Sequence, residues 1–176
     1  YLARVFALNA TMICIVMSVG PAISALTGVP AGRLVDRFGD SAIVNAGLGL
    51  MILGAAAVAI VPTLFGLAGY IGAIAILTPG YQLFQAANNT FVMTHVDMDQ
   101  KGVVSGMLSL SRNIGLITGA SVMGAVFGYA ANTTDMALAS AEAVSTAMQV
   151  TFFVATALVA LAFILFSYPT KSFEIV

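Results

Sequence analysis

Charged residues are scarce in this 176-residue sequence, in which lysine, arginine, aspartate and glutamate together make up 7%. Soluble globular domains carry about 25% charged residues, because a chain folded in water needs a polar surface. Hydrophobic residues make up 60% of the sequence, and the mean hydropathy is +1.04. The composition excludes an ordinary water-soluble globule and predicts a protein that is surrounded by lipid.

Several kinds of site lack the residues that they need. The net charge is −1 and no basic cluster is present, so nucleic-acid binding is not expected. The one cysteine, Cys14, is expected to be a small core residue, because a single cysteine supports neither a disulfide framework nor a metal site. There is no arrangement of nucleophile and base and no phosphate-binding glycine loop, so neither an enzyme nor a cofactor is predicted.

Long apolar stretches dominate what is present. A helix needs about 20 mostly apolar residues to cross the roughly 30 Å hydrocarbon layer, whereas strands of membrane barrels have about 10 residues and alternate in polarity. The sequence therefore predicts an all-α integral membrane protein with five transmembrane helices. They are expected near residues 5–30, 42–62, 67–88, 103–130 and 147–168.

The breaks between these stretches are expected at residues 32–40, 61–63, 88–102 and 132–146, where proline, asparagine, glycine or charged residues occur. The last break is rich in alanine and serine. With Thr133, Thr134 and Asp135 as candidate N-caps, it is also compatible with a helical extension of the fifth span.

The positive charges predict the orientation in the membrane. Arg33, Arg37, Lys101 and Lys171 fall on one side of the predicted bundle, and Arg4 falls on the other. Because Lys and Arg in short loops are retained on the cytoplasmic side, the first and third loops and the C-terminus are expected to be cytoplasmic in the cell membrane.

Small residues recur at helical spacing within two of the spans, where they let a neighbouring backbone approach closely. We expect helix packing at these positions, and ordinary packing without any moving part is one interpretation. Bends at Gly20-Pro21 and Pro79-Gly80, which would be compatible with gating, are the other. The packing positions are Gly20, Gly28, Gly115 and Gly119.

The first charged connector carries a recognisable pattern. Its residues Gly32-Arg33-Leu34-Val35-Asp36-Arg37-Phe38-Gly39 resemble the signature Gly-x-Leu-x-Asp-Arg-x-Gly of the major facilitator superfamily, which lies between the second and third helices of each six-helix half. The family usually continues with two basic residues, where this chain has Asp40 and Ser41. That departure fits the second, often degenerate copy of the signature.

Further segments look like the drug/proton antiporter branch of that family. They are Gln85-Ala-Ala-Asn88-Asn89, Gly102-Val-Val-Ser105-Gly106 and Ser111-Arg112-Asn113-Ile114-Gly115. The resemblance implies the last five helices of a C-terminal half, and the start at Tyr1 without methionine suggests a fragment. The implied activity is proton-coupled efflux of small hydrophobic or drug-like molecules by alternating access, with the missing N-terminal half as partner. A metabolite uniporter or symporter of the same superfamily and a non-transporting membrane scaffold are the alternatives.

The signature is interpreted as a gating motif formed by Gly32, Asp36, Arg37 and Gly39. Gly32 would let two helix ends approach, Asp36 would accept hydrogen bonds from helix N-terminal amides, and Arg37 would pair with a carboxylate. A tight turn with ordinary surface ion pairs, worth about 0–1 kcal/mol each, is the alternative.

The resemblance implies that the matching loop of the missing half docks where the helix near Gly102 begins, beside Asp97 and Asp99. Ordinary capping by these carboxylates is the other interpretation.

Arg112 is the one charged residue inside a predicted span. It lies nine residues beyond Val103, which corresponds to a depth of roughly 13 Å. A cation there costs about 2.5–3.5 kcal/mol and needs acceptors nearby, for which Gln82, Gln85 and Asn89 are the candidates. Arg112 is expected either to form part of a route for an anionic or polar substrate or to hold the third and fourth spans together.

No carboxylate falls inside a predicted span. If the intact protein is coupled to protons, its titrating acid is therefore expected in the missing half. His95 lies in a loop, where a histidine is usually solvated. The acidic residues outside the spans are Asp36, Asp40, Asp97, Asp99, Asp135, Glu142 and Glu174.

Overall fold

The computed structural model describes residues 1–94, 96–132 and 139–167, and these residues form helices and connectors without any strand. Four of the helices are long and apolar enough to cross a membrane, which confirms the all-α membrane fold. The α-helices are α1 (Leu2–Val5), α2 (Ala10–Phe38), α3 (Asp40–Thr94), α4 (Lys101–Ala131) and α5 (Ala141–Ser167), and the 3₁₀ turn Met98–Gln100 precedes α4.

Helix α3 is a hairpin of two antiparallel arms. A straight helix of 55 residues would be roughly 80 Å long, far more than the membrane thickness. The chain reverses at Gly66, whose φ of 59° and ψ of −140° are not helical. We call residues 40–65 the first arm and residues 67–94 the second arm.

The two arms touch backbone to backbone through glycine. A Cβ atom built on Gly54 would lie 2.5 Å from the Cα of Leu77, and one built on Gly47 would lie 2.5 Å from the backbone nitrogen of Phe84. A Cβ on Gly69 would lie 2.6 Å from the carbonyl oxygen of Val61, and one on Gly80 would lie 2.8 Å from the backbone nitrogen of Met51. Such distances leave no room for a side chain, so glycine at these positions sets the spacing of the hairpin.

The turn at Gly66 lies just beyond the break expected at residues 61–63. The helix continues through Pro62, which the structure places inside α3 and buries. Proline removes one helical hydrogen bond but has a φ that suits a helix, and membrane helices tolerate it. The chain reverses instead at Gly66, whose φ is positive, a conformation that glycine adopts readily.

Helix α2 is longer at its C-terminal end than the apolar stretch. It continues through Phe38, so residues 32–38, expected in a connector, are its last two turns. It ends at Gly39, whose φ is 85° and whose N–H donates to the carbonyl of Val35 over 2.9 Å. At its other end, Asn9 caps the helix by accepting a hydrogen bond from the Met12 N–H over 2.9 Å.

Two of the other connectors also differ in extent from the expected breaks. The second arm of α3 remains helical through Thr94, past the break expected from residue 88. Helix α5 begins at Ala141 after Ser140, whose Oγ accepts a hydrogen bond from the Ala143 N–H over 3.1 Å. The proposed caps Thr133, Thr134 and Asp135, and also His95, Lys171 and Glu174, lie outside the described residues.

Helix α3 forms the centre of the bundle, with α2 against one side and α5 against another. One cluster of buried side chains joins Val35 of α2 to both arms of α3, and Phe163 of α5 packs against it. A second cluster joins Val58 and Ala73 of the two arms to Met148 of α5. Helix α4 packs mainly on α5, and Ala131 is its one buried residue.

The helix directions place most of the described basic residues at one end of the bundle. The Ser167 hydroxyl at the end of α5 donates to the side-chain oxygen of Asn45 over 3.1 Å, so α5 ends beside the start of α3. Arg33, Arg37 and Lys101 lie at this end, which we call the signature end. Arg4 lies at the opposite end, where the Tyr1 and Tyr70 rings are 6.2 Å apart.

Candidate functional site

A cavity of about 420 Å³ lies between the second arm of α3 and α4. Ligand sites for small molecules usually have about 300–1,000 Å³, so this volume suits a small organic molecule. Residues from both helices line it, namely Tyr81, Phe84, Gln85, Asn88, Asn89 and Met93 from α3 and Ser105, Leu108, Ser109, Ser111 and Arg112 from α4.

Helical periodicity explains why these side chains meet. Residues 81, 85, 89 and 93 recur every four positions and therefore share one face of the second arm, and residues 105, 108, 109 and 112 share one face of α4. The second arm of α3 runs toward the signature end, and α4 runs away from it. Met93 and Ser105 consequently lie nearest that end, and Tyr81 and Arg112 lie deepest.

The cavity extends along α4 well beyond its first turns. Arg112 is eleven residues beyond Lys101, the first residue of α4, which places it roughly 16 Å along the helix axis. The hydrocarbon layer is about 30 Å thick, so for a helix that enters it near Lys101 this distance corresponds to about half of the layer. The structure thus places a permanent cation beside a cavity whose other described lining residues are uncharged.

Among the described residues, Arg112 has no charged neighbour in the cavity wall. Within the part of the chain that the structure describes, neither aspartate nor glutamate lines the cavity, and no ion pair or hydrogen bond joins the guanidinium to another residue. The remaining polar lining consists of side-chain amides, from Gln85, Asn88 and Asn89, and of serine and tyrosine hydroxyls. These groups can donate and accept hydrogen bonds without carrying charge.

Of the residues proposed around Arg112, Gln85 and Asn89 line the cavity with it, whereas Gln82 does not. The Gln82 side-chain amide donates to the hydroxyl of Ser24 on α2 instead. A Cβ on Gly20, one turn before Ser24, would contact Ile74 and Thr78 of the second arm. Helix α2 therefore covers this face of the second arm as far as Gln82, and the cavity begins beyond it.

Sequence reasoning missed most of the lining. Asn88, Ser105 and Ser111 belong to the segments that carry the resemblance but not to the predicted site, and Tyr81, Phe84, Met93, Leu108 and Ser109 belong to neither. The spacing of four residues through Tyr81, Gln85 and Asn89 was a usable signal. The apolar members carry no such signal, because similar residues occur all along these helices.

The signature residues lie away from the cavity, at the C-terminal end of α2. Asp36 is exposed, and no ion pair joins it to another described residue. The Arg37 guanidinium lies over the Phe38 ring, 5.2 Å from the ring centroid, and Gly39 makes the turn into α3. Gly32 lies on the last turns of α2, where no atom of the described residues would come within 4 Å of an added Cβ.

The glycines proposed for helix packing differ in their surroundings. A Cβ on Gly20 would lie 3.9 Å from Ile74 and Thr78, which is ordinary contact. At Gly28, Gly115 and Gly119 no atom of the described chain comes within 4 Å of a Cβ, and their role in packing stays a prediction.

The family model of the Major Facilitator Superfamily matches residues 1–120. The match includes α2, both arms of α3 and the part of α4 that carries Arg112, so it covers every residue of the cavity lining. No curated protein and no solved structure matches the chain. The matched segment exceeds half of the sequence, and the chain belongs to the Major Facilitator Superfamily, a family of membrane transporters.

Proposed function

We propose that this protein is part of a secondary active transporter that exports small hydrophobic or drug-like molecules by proton-coupled alternating access. The observation that carries the proposal is the cavity between α3 and α4, which we place near the membrane midplane, where transporters of this kind bind their substrates. Tyr81, Phe84 and Leu108 offer apolar and aromatic surface, and Gln85 and Asn89 offer hydrogen bonds. This mixture suits molecules with an apolar body and a few polar groups.

Alternating access requires a second bundle, and the missing N-terminal half is proposed as that partner. Helix α4 leaves large apolar side chains uncovered, with Met107 63% exposed and Ile117 69% exposed. Some of these side chains would face lipid and others the partner bundle. The exposed Asp36 and Arg37 would contact that bundle in one of its two orientations and so bias the equilibrium between them.

The proposed orientation places the signature end in the cytoplasm. Arg33, Arg37 and Lys101 all lie there, and basic residues in short connectors are retained on the cytoplasmic side of the cell membrane. Helix α5 ends at the same end of the bundle, so a cytoplasmic C-terminus is part of the proposal. Because no carboxylate lines the cavity among the described residues, the acid that carries the coupled proton would belong to the partner bundle.

A second candidate is a uniporter or symporter for a small polar metabolite. The unpaired guanidinium of Arg112 favours it, since a cation beside a cavity suits a polar or anionic substrate. A non-transporting scaffold is the third candidate.

Transport by the full-length protein in proteoliposomes tests the proposal. A panel of hydrophobic dyes and small metabolites is offered with and without a pH gradient. We expect gradient-dependent dye transport, and we expect Gln85→Ala and Asn89→Ala to raise KM at least fivefold. Gln100→Ala, an exposed amide outside the cavity, is the matched control and is expected to leave KM unchanged.

The possible outcomes separate the candidates. Metabolite uptake that does not respond to the pH gradient would favour the uniporter. Equal kinetics for all three variants would refute the cavity as the substrate site. Absence of transport for the whole panel by well-folded protein would favour the scaffold.

A further inference from the structure

We infer that the cavity between α3 and α4 binds organic anions, specifically a carboxylate or sulfonate attached to an aromatic or apolar body. The inference rests on the proposed function, because it names the substrate class of the same cavity. It differs from a general preference for hydrophobic compounds in predicting a sign of charge.

Charge is the first argument. Of the described residues that line the cavity, Arg112 is the one that is charged, and its guanidinium is permanently protonated. The described acidic residues Asp36, Asp40, Asp97, Asp99 and Glu142 lie at helix ends and do not line the cavity. A ligand carboxylate would therefore meet an uncompensated cation, with which it can form two parallel hydrogen bonds.

The uncharged lining is the second argument. Gln85, Asn88 and Asn89 present amide N–H₂ groups, and Ser105, Ser109 and Ser111 present hydroxyls, all of which can donate to an anion. A cationic ligand would find acceptors among the same groups but would be repelled by the positive charge of Arg112. The lining as a whole thus discriminates by charge and not merely by size.

The shape of the lining is the third argument. Arg112 and Tyr81 lie at the deep end, and Phe84, Leu108 and Met93 continue the apolar wall toward the signature end. An aromatic body could lie along this wall while its anionic group reaches the guanidinium. The volume of about 420 Å³ accommodates a ligand of two fused rings.

Three probes with one body test the inference, namely 2-naphthoate, 2-naphthamide and 2-naphthylmethylammonium. Binding of each radiolabelled probe to the purified full-length transporter is measured, together with its transport in proteoliposomes. We expect 2-naphthoate to bind at least tenfold more tightly than the amide and the ammonium probe. In Arg112→Gln the preference for 2-naphthoate should fall to less than twofold, whereas Arg112→Lys should keep part of it.

Controls make each result decisive. Arg33→Gln removes one positive charge from an exposed position near the C-terminal end of α2, outside the cavity lining. It should leave the preference for 2-naphthoate unchanged. Size-exclusion profiles show whether each variant is folded. If Arg112→Gln does not fold, the preference for 2-naphthoate is measured in Arg112→Lys, where we expect it to be partly kept. Equal binding of the three probes, or a preference that survives in Arg112→Gln, would overturn the inference.

Two further measurements distinguish a soluble anionic substrate from a bound lipid and from a protein that does not transport. An anionic lipid headgroup has the same chemistry as the probe, so binding is repeated in phosphatidylcholine with and without phosphatidylglycerol. Competition by phosphatidylglycerol that disappears in Arg112→Gln would assign the guanidinium to lipid and contradict a soluble substrate. If the amide and ammonium probes are transported but the carboxylate is not, the anion preference is refuted and the transporter proposal stands. If binding depends on Arg112 but no compound is transported, the transporter proposal is refuted.

Discussion

Replacement of Gly54 by alanine should force the two arms of α3 apart. The added Cβ would lie 2.5 Å from the Cα of Leu77 and 2.7 Å from its backbone nitrogen. Carbon atoms in contact are usually about 3.5–4.0 Å apart, so the arms must separate by about 1 Å at this level. Overpacking of this kind typically costs about 1–3 kcal/mol, and we expect about 2 kcal/mol for Gly54→Ala.

The assay is the thermal stability of the purified full-length protein in detergent, for which we expect a fall of several degrees in Tm. Gly49→Ala is the matched control, because it adds the same methyl group to the same arm at a position with no atom within 4 Å. Alanine is the better helix former, so this control should be as stable as the wild type or more stable. Gly20→Ala, whose Cβ would have ordinary contacts at 3.9 Å, should also be tolerated.

A second variant identifies the cause. The atoms that obstruct a Cβ on Gly54 include the Leu77 backbone, so shortening that side chain in Gly54→Ala/Leu77→Ala should not restore stability. Equal Tm values for Gly54→Ala and Gly49→Ala would refute the close approach of the arms. Recovery of stability in the double variant would instead mean that the side chain of Leu77, and not its backbone, limits the spacing.

Two other local features make measurable predictions. Gly39 has a φ of 85° and a ψ of 156°, a conformation that is essentially restricted to glycine, so Gly39→Ala should lower the stability of the full-length protein by about 1–3 kcal/mol. Gly39→Asn should be no better, because asparagine tolerates the left-handed helical region and not this one, and thermal melts that match the wild type would contradict the turn. The hydrogen bond between Gln82 and Ser24 joins α3 to α2, and Ser24→Ala and Gln82→Leu should each cost about 0.5–1.5 kcal/mol. In an SDS-unfolding titration the double variant should lose less than the sum of the two single losses, and strict additivity would show that the two side chains do not interact.

The sequence predicted the helices better than it predicted their ends. Apolar stretches of about 20 residues form helices in lipid, because a helix satisfies its backbone polar groups within its own segment. The same rule does not say where a helix stops, because a helix can continue into the polar layer, as α2 does through Phe38. The break between α2 and α3 falls at Gly39, and the break between the two arms of α3 falls at Gly66. Both glycines have a positive φ. Pro62, the stronger breaker in water, was a weaker guide in a membrane helix.

The sequence could not predict which residues of the second arm of α3 face α2 and which face the cavity, because this depends on how the helices cross. Ile74, Thr78, Gln82, Gln85 and Asn89 form one stripe along the second arm of α3, and periodicity assigns them to one face. The neighbour of this face changes along the stripe. At Gln82 it is α2, and at Gln85 it is the cavity, with α4 on the other side of it.

That change depends on the direction of α2, which leaves this face beyond Ser24 and contributes Val35 to the cluster with Ala87 at the signature end. The path of α2 is set by the packing of whole helices, and the spacing of polar residues in the sequence does not indicate it. The sequence could therefore bring Gln85, Asn89 and Arg112 into one hypothesis through their depth and polarity. It could not separate Gln82 from them, because in the stripe Gln82 differs only in the neighbour that it meets.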